Sequence, residues 1–330
     1  MPVRIAIPSA RRLLAILLPA ALVCLVAPAS RAQTRDMNGQ VIERSPLRAA
    51  NDTLISIQVH PLAPGVFAAK NRHVWNGWVE LPEGILVVDG GYDARSARAL
   101  ADTIRARSPG RPFRYLVVTS GHVEHIGGVR TFASLGATVL AHPDVAAETR
   151  DSIPAGAAPP AKVGNRVSLG SAGLRAEVEW LGRPANSSGD LVVYLPKQRI
   201  LFTGDLAYHR AVPWIVDARF NYGGWLASID TLMTRRFAAD SIVPGHGTIA
   251  PWIEGLMYTR RYLADAMDKA GQLAAWGVPV QEMEERGYLG AYEDAEYYDP
   301  IHFYNMRRFH QLSKGIETPG RARPGMVTPK

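Results

Sequence analysis

Short runs rich in β-forming residues recur along the chain, and the strongest of them are continuously apolar. In the N-terminal half they lie at 54–59, 66–69, 84–89, 115–119 and 137–141. Continuous apolar runs of this length are typical of strands covered on both faces. Residues 94–107 place Leu100 and Ile104 on one side and arginines on the other, which predicts a helix between two strands. This alternation indicates an α/β protein.

A second series follows a loop at 151–165 that is rich in Ala, Pro and Gly. It predicts strands at 176–180, 191–195 and 200–203, a helix at 224–236 and a strand at 241–243. The chain beyond Gly247 is mostly helical in pattern, and 253–275 is the longest candidate. The order favours a four-layer α/β/β/α sandwich, although spacing alone does not distinguish it from a doubly wound sheet.

The first 32 residues have the three parts of a secretory signal peptide. Arg4, Arg11 and Arg12 precede an uncharged run from Leu13 to Ala29, and Ser30-Arg31-Ala32 provides small residues for cleavage after Ala32. We therefore expect an exported protein, periplasmic or secreted, with no stable membrane anchor after cleavage. An uncleaved anchor is the alternative reading, since the apolar run is close to the shortest that spans a bilayer.

The remaining chain divides by composition. Residues 33–52 are a polar arm, 53–314 a single domain with C-terminal helices, and 315–330 a tail expected to be disordered. The leader holds four of the 37 basic residues and none of the 30 acidic ones, so the rest is only mildly basic and gives no reason to expect nucleic acid.

Cys24, the only cysteine, also lies in the leader. Any metal would be held by nitrogen and oxygen.

Most of the polar residues that can carry chemistry lie in four loops next to predicted strands. Imidazole and carboxylate groups arriving from several strand ends are what a divalent cation needs, although each loop alone is a weak signal. The four segments are Thr119–Gly128, Ala185–Asp190, Thr203-Gly204-Asp205 and Pro244-Gly245-His246-Gly247.

In order and spacing these loops resemble the metallo-β-lactamase superfamily, from about Gln58 to about His246. In that family the first loop reads His-x-His-x-Asp-His-x-Gly-Gly, and later loops supply a third histidine, a bridging Asp and a final histidine. Asp89 matches an early Asp that supports the metal loops. The resemblance implies a four-layer αβ/βα sandwich, the metallo-β-lactamase fold, and a metal-dependent hydrolase.

The match departs from the family at one of its two metal sites. Ser120 and Asn186 stand where two of its three histidines belong, and only His122 is retained. Serine and asparagine are neutral, weak ligands, so the resemblance implies that this first site is empty or very weak. A β-lactamase activity would ask for a more intact site.

The second site keeps its donors, in the form of Glu124 (replacing Asp), His125, Asp205 and His246. Two imidazoles and two carboxylates suit one divalent ion, with Zn²⁺ favoured and Mn²⁺ or Fe²⁺ as alternatives. The other interpretation is a pocket without metal, in which these side chains only hydrogen-bond one another.

We therefore predict an exported, mononuclear hydrolase that uses metal-activated water on a small-molecule ester, lactone, amide or phosphoester. The alternative is a non-catalytic descendant that binds a ligand or partner in the old cleft. His122 and Asp205 are the predicted catalytic residues. Ser120, Asn186, Tyr208 and His209 are assigned to substrate binding. Trp75, Asn76 and Trp78 are predicted to lie on a loop over the site, although the tryptophans more readily pack in the interior. His302 and Tyr304 are assigned to packing and to the surface.

Overall fold

The computed structural model describes residues 56–171, 173–215 and 220–316. The predicted signal peptide, the polar arm and nearly all of the tail lie outside the described residues. Within those three ranges no helix combines the length and the apolar character needed to cross a membrane.

Strands and short helices alternate along the chain. The N-terminal half contains β1 (Ile57–Ala63), β2 (Val66–Asn71), β3 (Val74–Leu81), β4 (Gly84–Val88), α1 (Ala94–Arg107), β5 (Phe113–Val117), α2 (Val123–Ile126), α3 (Val129–Ser134), β6 (Thr138–Ala141), α4 (Pro143–Thr149) and β7 (Ala161–Lys162). The C-terminal half contains β8 (Arg166–Gly170), β9 (Arg175–Trp180), β10 (Leu191–Leu195), β11 (Ile200–His209), α5 (Tyr222–Leu232), β12 (Ser241–Gly247), β13 (Ala250–Pro251), α6 (Trp252–Ala275), α7 (Met283–Arg286) and α8 (Tyr298–Ser313).

The strands form a curled sheet in the order β7-β6-β5-β4-β3-β12-β11-β10-β9-β8. Strands β4 to β7 are parallel to one another, and so are β11 and β12. One residue pair, Val74 with His246, joins β3 to β12 and therefore connects the two halves. The link between the halves passes through one of the predicted metal ligands.

Three separate apolar clusters show how the layers stack. In the first, Leu100 of α1 packs in the same cluster as Trp78 of β3. The second lies between the two halves of the sheet and contains Val79 and Phe202. The third joins the C-terminal helices to the other half of the sheet around Trp225. Helix, sheet, sheet and helix therefore follow one another, which confirms the four-layer αβ/βα sandwich and excludes the doubly wound alternative.

Most predicted elements occur, with shifted ends. Helix α1 has the predicted bounds, and Asp93 with Ser96 forms a capping box at its start. The helix predicted at 224–236 is α5, which ends at Leu232 and is followed by a 3₁₀ turn at 235–237. The helix predicted at 253–275 begins one residue earlier, at Trp252.

The loop predicted around Trp75, Asn76 and Trp78 is wrong, because these residues lie in β3 and all three are buried. Asn76 Nδ2 donates to the Asp89 carbonyl at 3.1 Å, and Trp78 Nε1 donates to Ser108 Oγ at 3.2 Å. Trp75 Nε1 donates to the Gly247 carbonyl at 2.9 Å. These side chains therefore support the structure beside the site and do not overhang it.

Candidate metal centre

The predicted chemistry-bearing residues meet where strand ends converge. Asp89 follows β4, His125 lies on α2 just after β5, Asp205 lies in β11 and His246 in β12. Carboxyl ends of parallel strands meet at one edge of a sheet, which is where α/β proteins place their sites. The curled sheet brings the edges of both halves together here.

Four donor atoms form a cluster of the size that one ion requires. The ligand atoms of Glu124, His125, Asp205 and His246 all lie within 4.8 Å of one another. The distances from Asp205 Oδ1 are 3.1 Å to His125 Nε2 and 3.4 Å to His246 Nε2, and His246 Nε2 lies 3.7 Å from Glu124 Oε1. Ligands at roughly 2.0–2.2 Å from a tetrahedral ion stand about 3.4 Å apart, so these separations fit.

His125 is oriented by residues behind the cluster. Its Nδ1 lies 2.8 Å from Asp89 Oδ2, which leaves Nε2 directed at Asp205. Asp89 is itself held, because it accepts from Thr119 N at 2.8 Å and from Thr119 Oγ1 at 2.7 Å. A carboxylate behind a ligating imidazole fixes the tautomer that presents the other nitrogen to a metal.

His246 is held on both of its sides. Its Nδ1 lies 3.0 Å from the His73 carbonyl, and the Tyr208 ring stacks on the imidazole at 4.9 Å between centroids and 11° between planes. The turn before it needs glycine for space, because a Cβ at Gly245 would stand 2.3 Å from Asp205 Oδ1. His246 therefore has one nitrogen committed to the backbone and the other directed into the cluster.

Gly127 and Gly128 matter for space, not for an unusual backbone turn. Both have ordinary negative φ angles, −60° and −93°. A Cβ on Gly128 would stand 2.0 Å from the Gly90 carbonyl oxygen, and one on Gly127 would stand 2.0 Å from that of Tyr92. The two glycines let the first loop pack directly against the loop that carries Asp89.

Without an ion, the charges of the cluster are balanced by protons. Burial opposes ionisation of Asp205, but His125 and His122 outweigh it and hold the Asp205 pKa well below its usual value. Burial likewise opposes ionisation of Glu124, yet the contact with His246 and the charge of His122 lower its pKa to about 2. Burial disfavours charged imidazoles, but the carboxylates raise the pKa of His125 and of His246. A divalent cation would compete with these protons for the same imidazoles and carboxylates, so metal binding should weaken as pH falls.

The fit to a metal is shown by atoms that lack hydrogen bonds. Among the described residues, His125 Nε2 and Asp205 Oδ1 are buried and neither has a hydrogen-bond partner that meets normal geometry. Buried polar atoms are rarely left in this state unless an ion, a water or a ligand completes them. The cluster can therefore hold a metal ion, and the identity of the ion is left open.

The first-site residues make different contacts. His122 Nδ1 lies 2.5 Å from Asp205 Oδ2, and Ser120 Oγ accepts from the His122 backbone N–H at 3.3 Å. Two atoms that share one ion at right angles or wider stand at least about 2.8 Å apart. His122 Nδ1 and Asp205 Oδ2 are therefore closer to one another than two ligands of one ion would be.

Asn186 is used by the protein in a way that the sequence did not indicate. It was assigned to substrate binding, and in the structure its Nδ2 donates to the Trp214 carbonyl at 2.8 Å. Its Oδ1 is buried without a partner among the described residues, so the unused group is an acceptor. Asp190 nearby is buried and accepts from Ser187 N and Ser187 Oγ, both at 2.7 Å. Burial raises the Asp190 pKa to about 6.

Two predicted site residues, Tyr208 and His209, lie a few positions after Asp205, and only Tyr208 reaches the metal cluster. Burial and the charge of Asp205 raise the Tyr208 pKa well above its usual value, so the hydroxyl stays neutral. His209 does not join the cluster, because neighbouring strand residues point to opposite faces. Its Nδ1 lies 2.7 Å from Thr248 Oγ1 and its Nε2 3.5 Å from Glu254 Oε1. The contacts of His209 therefore lie outside the cluster, and its assignment to substrate binding stays a prediction.

Three rings beside the cluster were missed by the sequence analysis. His73 lies between β2 and β3, with its ring 5.9 Å from that of His246 and 5.9 Å from that of Tyr92. Tyr297 lies just before α8, 6.2 Å from the His246 ring. They belong to no motif, and only the fold brings them to the site. By contrast, His302 packs as predicted, 3.0 Å from the Tyr262 hydroxyl and 2.9 Å from the Gly287 carbonyl.

The four-layer αβ/βα sandwich and the His/Asp/Glu cluster at its strand ends define the class of the protein as an α/β fold with a candidate metal site. The family model described as the metallo-beta-lactamase superfamily matches residues 70–246, more than half of the chain. The protein belongs to this superfamily.

Relatives in the family are distant. A linear primary-alkylsulfatase from Pseudomonas sp. (strain ATCC 19151) is 24% identical over 290 residues, covering 71% of this chain and 54% of the relative. A type 2 metallo-beta-lactamase from Bacillus cereus is 24% identical over 170 residues, covering 51% of this chain and 64% of the relative. The chain therefore spans only about half to two thirds of the curated relatives it matches.

Solved structures agree on the fold. A metallo-beta-lactamase from Pontibacter korlensis gives a TM-score of 0.56 at 22% identity, covering 63% of this chain and 99% of that one. A stereoselective inverting sec-alkylsulfatase from Pseudomonas sp. gives 0.57 at 18% identity, covering 85% of this chain and 56% of that one. At these identities the likeness supports the fold alone.

Proposed function

We propose that the protein is a hydrolase with one metal ion, which cleaves a small ester, lactone, amide or phosphoester. The observation that carries the proposal is the meeting of four donor atoms from Glu124, His125, Asp205 and His246 within 4.8 Å. Relatives named as an alkylsulfatase and as metallo-beta-lactamases support hydrolysis in general, and they point to esters and cyclic amides as substrates to test.

These four residues would hold a divalent ion, which when bound would lower the pKa of a water molecule and polarise the bond under attack. The protein's own contribution lies in His122 and Asp205. Asp205 spans both halves of the centre, since Oδ2 holds His122 at 2.5 Å and Oδ1 faces His125 and His246. An imidazole fixed by a carboxylate is suited to moving a proton during hydrolysis, and we assign this role to His122.

Export is part of the proposal. The leader described above predicts a mature chain that begins at Gln33 and functions in the periplasm or outside the cell. Intact-mass measurement on protein recovered from an exporting host checks this, and a product that still contains Cys24 would contradict it.

The main experiment combines metal content with a substrate panel. Protein purified without chelator or added metal is subjected to elemental analysis, and we expect about one divalent ion per chain. The same protein is assayed with p-nitrophenyl acetate, p-nitrophenyl sulfate, bis(p-nitrophenyl) phosphate and nitrocefin. We expect hydrolysis of at least one ester that is lost with EDTA and restored by zinc. Full metal content without any hydrolysis would favour the ligand-binding alternative, and two tightly held ions would contradict the one-metal site.

A further inference from the structure

Three half-buried rings line one edge of the metal cluster, next to Glu124, which is itself only partly buried. His73 is the middle ring, 5.9 Å from Tyr92 and 6.0 Å from Tyr297, with both neighbours edge-on to it. Tyr297 is also edge-on to His246, at 6.2 Å and 87°. We call Tyr92, His73 and Tyr297 the aromatic rim. The donors on the other side are more deeply buried: His125 and Asp205 are fully enclosed.

Tyr297 is held at this edge from several directions. The preceding residue, Glu296, uses both of its backbone groups: its N–H donates to the Arg210 carbonyl at 2.8 Å, and its carbonyl accepts from Val212 N at 2.9 Å. The Glu296 carboxylate lies 3.7 Å from Lys70 Nζ, and Lys70 also donates to the Gly247 carbonyl at 2.7 Å. The segment that presents Tyr297 is thus tied to the residues that follow β11 and, through Lys70, to the residue after His246.

The backbone of Tyr297 has a conformation that is unfavourable for a residue with a side chain. Its φ is 71°, in the left-handed region that favours glycine and disfavours a bulky side chain. Arg72 and Asp89, which flank the same centre, also have positive φ, at 61° and 60°. Strained residues persist where the surrounding structure fixes them, and they concentrate at functional sites. A glycine would adopt this conformation freely, so the ring is kept at an energetic cost.

We infer that Tyr297 contacts the substrate and that the aromatic rim recognises an apolar or aromatic group next to the bond that is cleaved. This inference rests on the proposed hydrolase function and adds the substrate class to it. Aromatic rings bind flat apolar groups by stacking and edge-to-face contact, and the polar tips of His73 and Tyr297 can bind a neighbouring oxygen. Tyr297 lies outside residues 70–246, whereas His73 and Tyr92 lie inside them, so the C-terminal segment adds one ring of the rim to the part of the chain that matches the family.

The test separates the ring from the backbone strain. Variants Tyr297→Phe and Tyr297→Gly of the full chain are compared with wild type after loading with Co²⁺, and the visible spectrum of the ion is titrated with benzoate and with acetate. We expect wild type to prefer benzoate. The Gly variant should lose about tenfold in benzoate affinity, with acetate affinity and cobalt content unchanged, and the Phe variant should lose less. The melting temperature of the Gly variant should be equal to or above that of wild type, because glycine relieves the backbone strain.

Arg199→Gly is the matched control. Arg199 has φ 56° in the turn between β10 and β11, and it forms an exposed ion pair with Asp240. The control should leave both affinities unchanged. A Gly variant at 297 that loses cobalt and thermal stability together with benzoate affinity would show a purely structural Tyr297 and overturn the inference. If Tyr297→Gly does not fold, Tyr297→Asn replaces it, since asparagine also tolerates this conformation.

The two proposals fail in different ways. If wild type prefers benzoate through Tyr297 but hydrolyses no ester, the hydrolase proposal fails and the recognition surface stands. If esters are hydrolysed but the Gly variant keeps the wild-type preference for phenyl over methyl groups in the acyl part, the recognition inference fails and the hydrolase stands.

Discussion

Two groups of polar side chains meet at Asp205, and they differ in what their donor atoms contact. On one side, His122 Nδ1 lies 2.5 Å from Asp205 Oδ2, and Asn186 Nδ2 is bonded to the Trp214 carbonyl. On the other side, His125 Nε2 faces Asp205 Oδ1 at 3.1 Å, with His246 at 3.4 Å. The residues of the first group make hydrogen bonds within the protein, whereas those of the second keep the separations that an ion needs. We call Ser120, His122 and Asn186 the closed half of the centre, and Glu124, His125 and His246 the open half.

Asp205 joins the two groups, so changing it should have the largest effect. We expect Asp205→Asn to lower metal affinity by at least about 100-fold, because it removes one of two negative charges from the cluster. The metal-free protein should also lose about 3–5 kcal/mol of stability, since buried charged imidazoles lose their partner. Elemental analysis and denaturant titration measure the two effects.

The control for this variant is Asp240→Asn. Asp240 is largely exposed and pairs with Arg199 at 2.7 Å, away from the cluster, so it should change neither quantity by much. If Asp205→Asn kept a full equivalent of metal, the cluster would not be the binding site.

The second prediction asks whether the closed half can be reopened. Replacing Ser120 and Asn186 together by histidine restores three imidazoles with His122, and we expect metal content to rise from about one to about two ions per chain. Ester hydrolysis should rise with it if the cleft admits substrate. Each single replacement should do less, because two imidazoles leave the site under-coordinated.

The structure adds a condition to this experiment. His122 must release Asp205 Oδ2 before an ion can enter, and Asn186→His also removes the bond to the Trp214 carbonyl. Elemental analysis of wild type, both single variants and the double variant, all purified identically, provides the comparison. A double variant that still holds one ion or none would show that the closed half does not reopen, which favours the non-catalytic alternative.

Site residues could be predicted where the pattern that indicates them is local in the sequence, and they could not where only distant residues bring them together. Glu124 and His125 are adjacent in one loop, and Asp205 and His246 each come after a strong apolar run, so the pattern indicated polar residues at strand ends. The resemblance to the superfamily then implied that these four residues converge. The roles assigned to them stay predictions.

Strand β3 was missed because Asn76-Gly77 has the composition of a turn. The structure gives a physical reason for both residues. Asn76 satisfies its Nδ2 on the Asp89 carbonyl inside the protein. Gly77 is required by a neighbour distant in sequence, since a Cβ there would stand 2.3 Å from the Phe202 ring. His73 and Tyr297 were missed for a related reason, since 224 positions separate them in the sequence. They meet because Glu296 is bonded to Arg210 and Val212, which places Tyr297 beside His73.

The third prediction concerns pH and the closed half of the centre. Burial raises the Asp190 pKa to about 6, above its unfolded value of 3.8. An acid with a raised folded pKa stabilises the protein fully below 3.8, and this contribution is lost as pH rises through about 6, an effect on the order of 3 kcal/mol. Asp190→Asn should remove this pH dependence. Denaturant titrations from pH 4 to 8 should show wild type losing stability relative to the variant, and parallel curves would contradict a buried, raised carboxyl.

The smallest expected effect comes from the length of the acid in the open half. Glu124 Oε1 lies 3.7 Å from His246 Nε2, the longest of the three separations, and the family pattern has the shorter Asp here. We expect Glu124→Asp to lower metal affinity by about tenfold, because its carboxylate ends one methylene short of a cluster that is built around glutamate. Competition with a chromophoric chelator measures the affinity, and Glu284→Asp, on the exposed side of α7, is the matched control. An unchanged or tighter affinity would mean that the first loop moves to follow the shorter side chain. The loop that carries Glu124 could then shift, whereas the residues of the closed half are fixed by direct hydrogen bonds. The two halves would then differ in mobility as well as in their donor atoms.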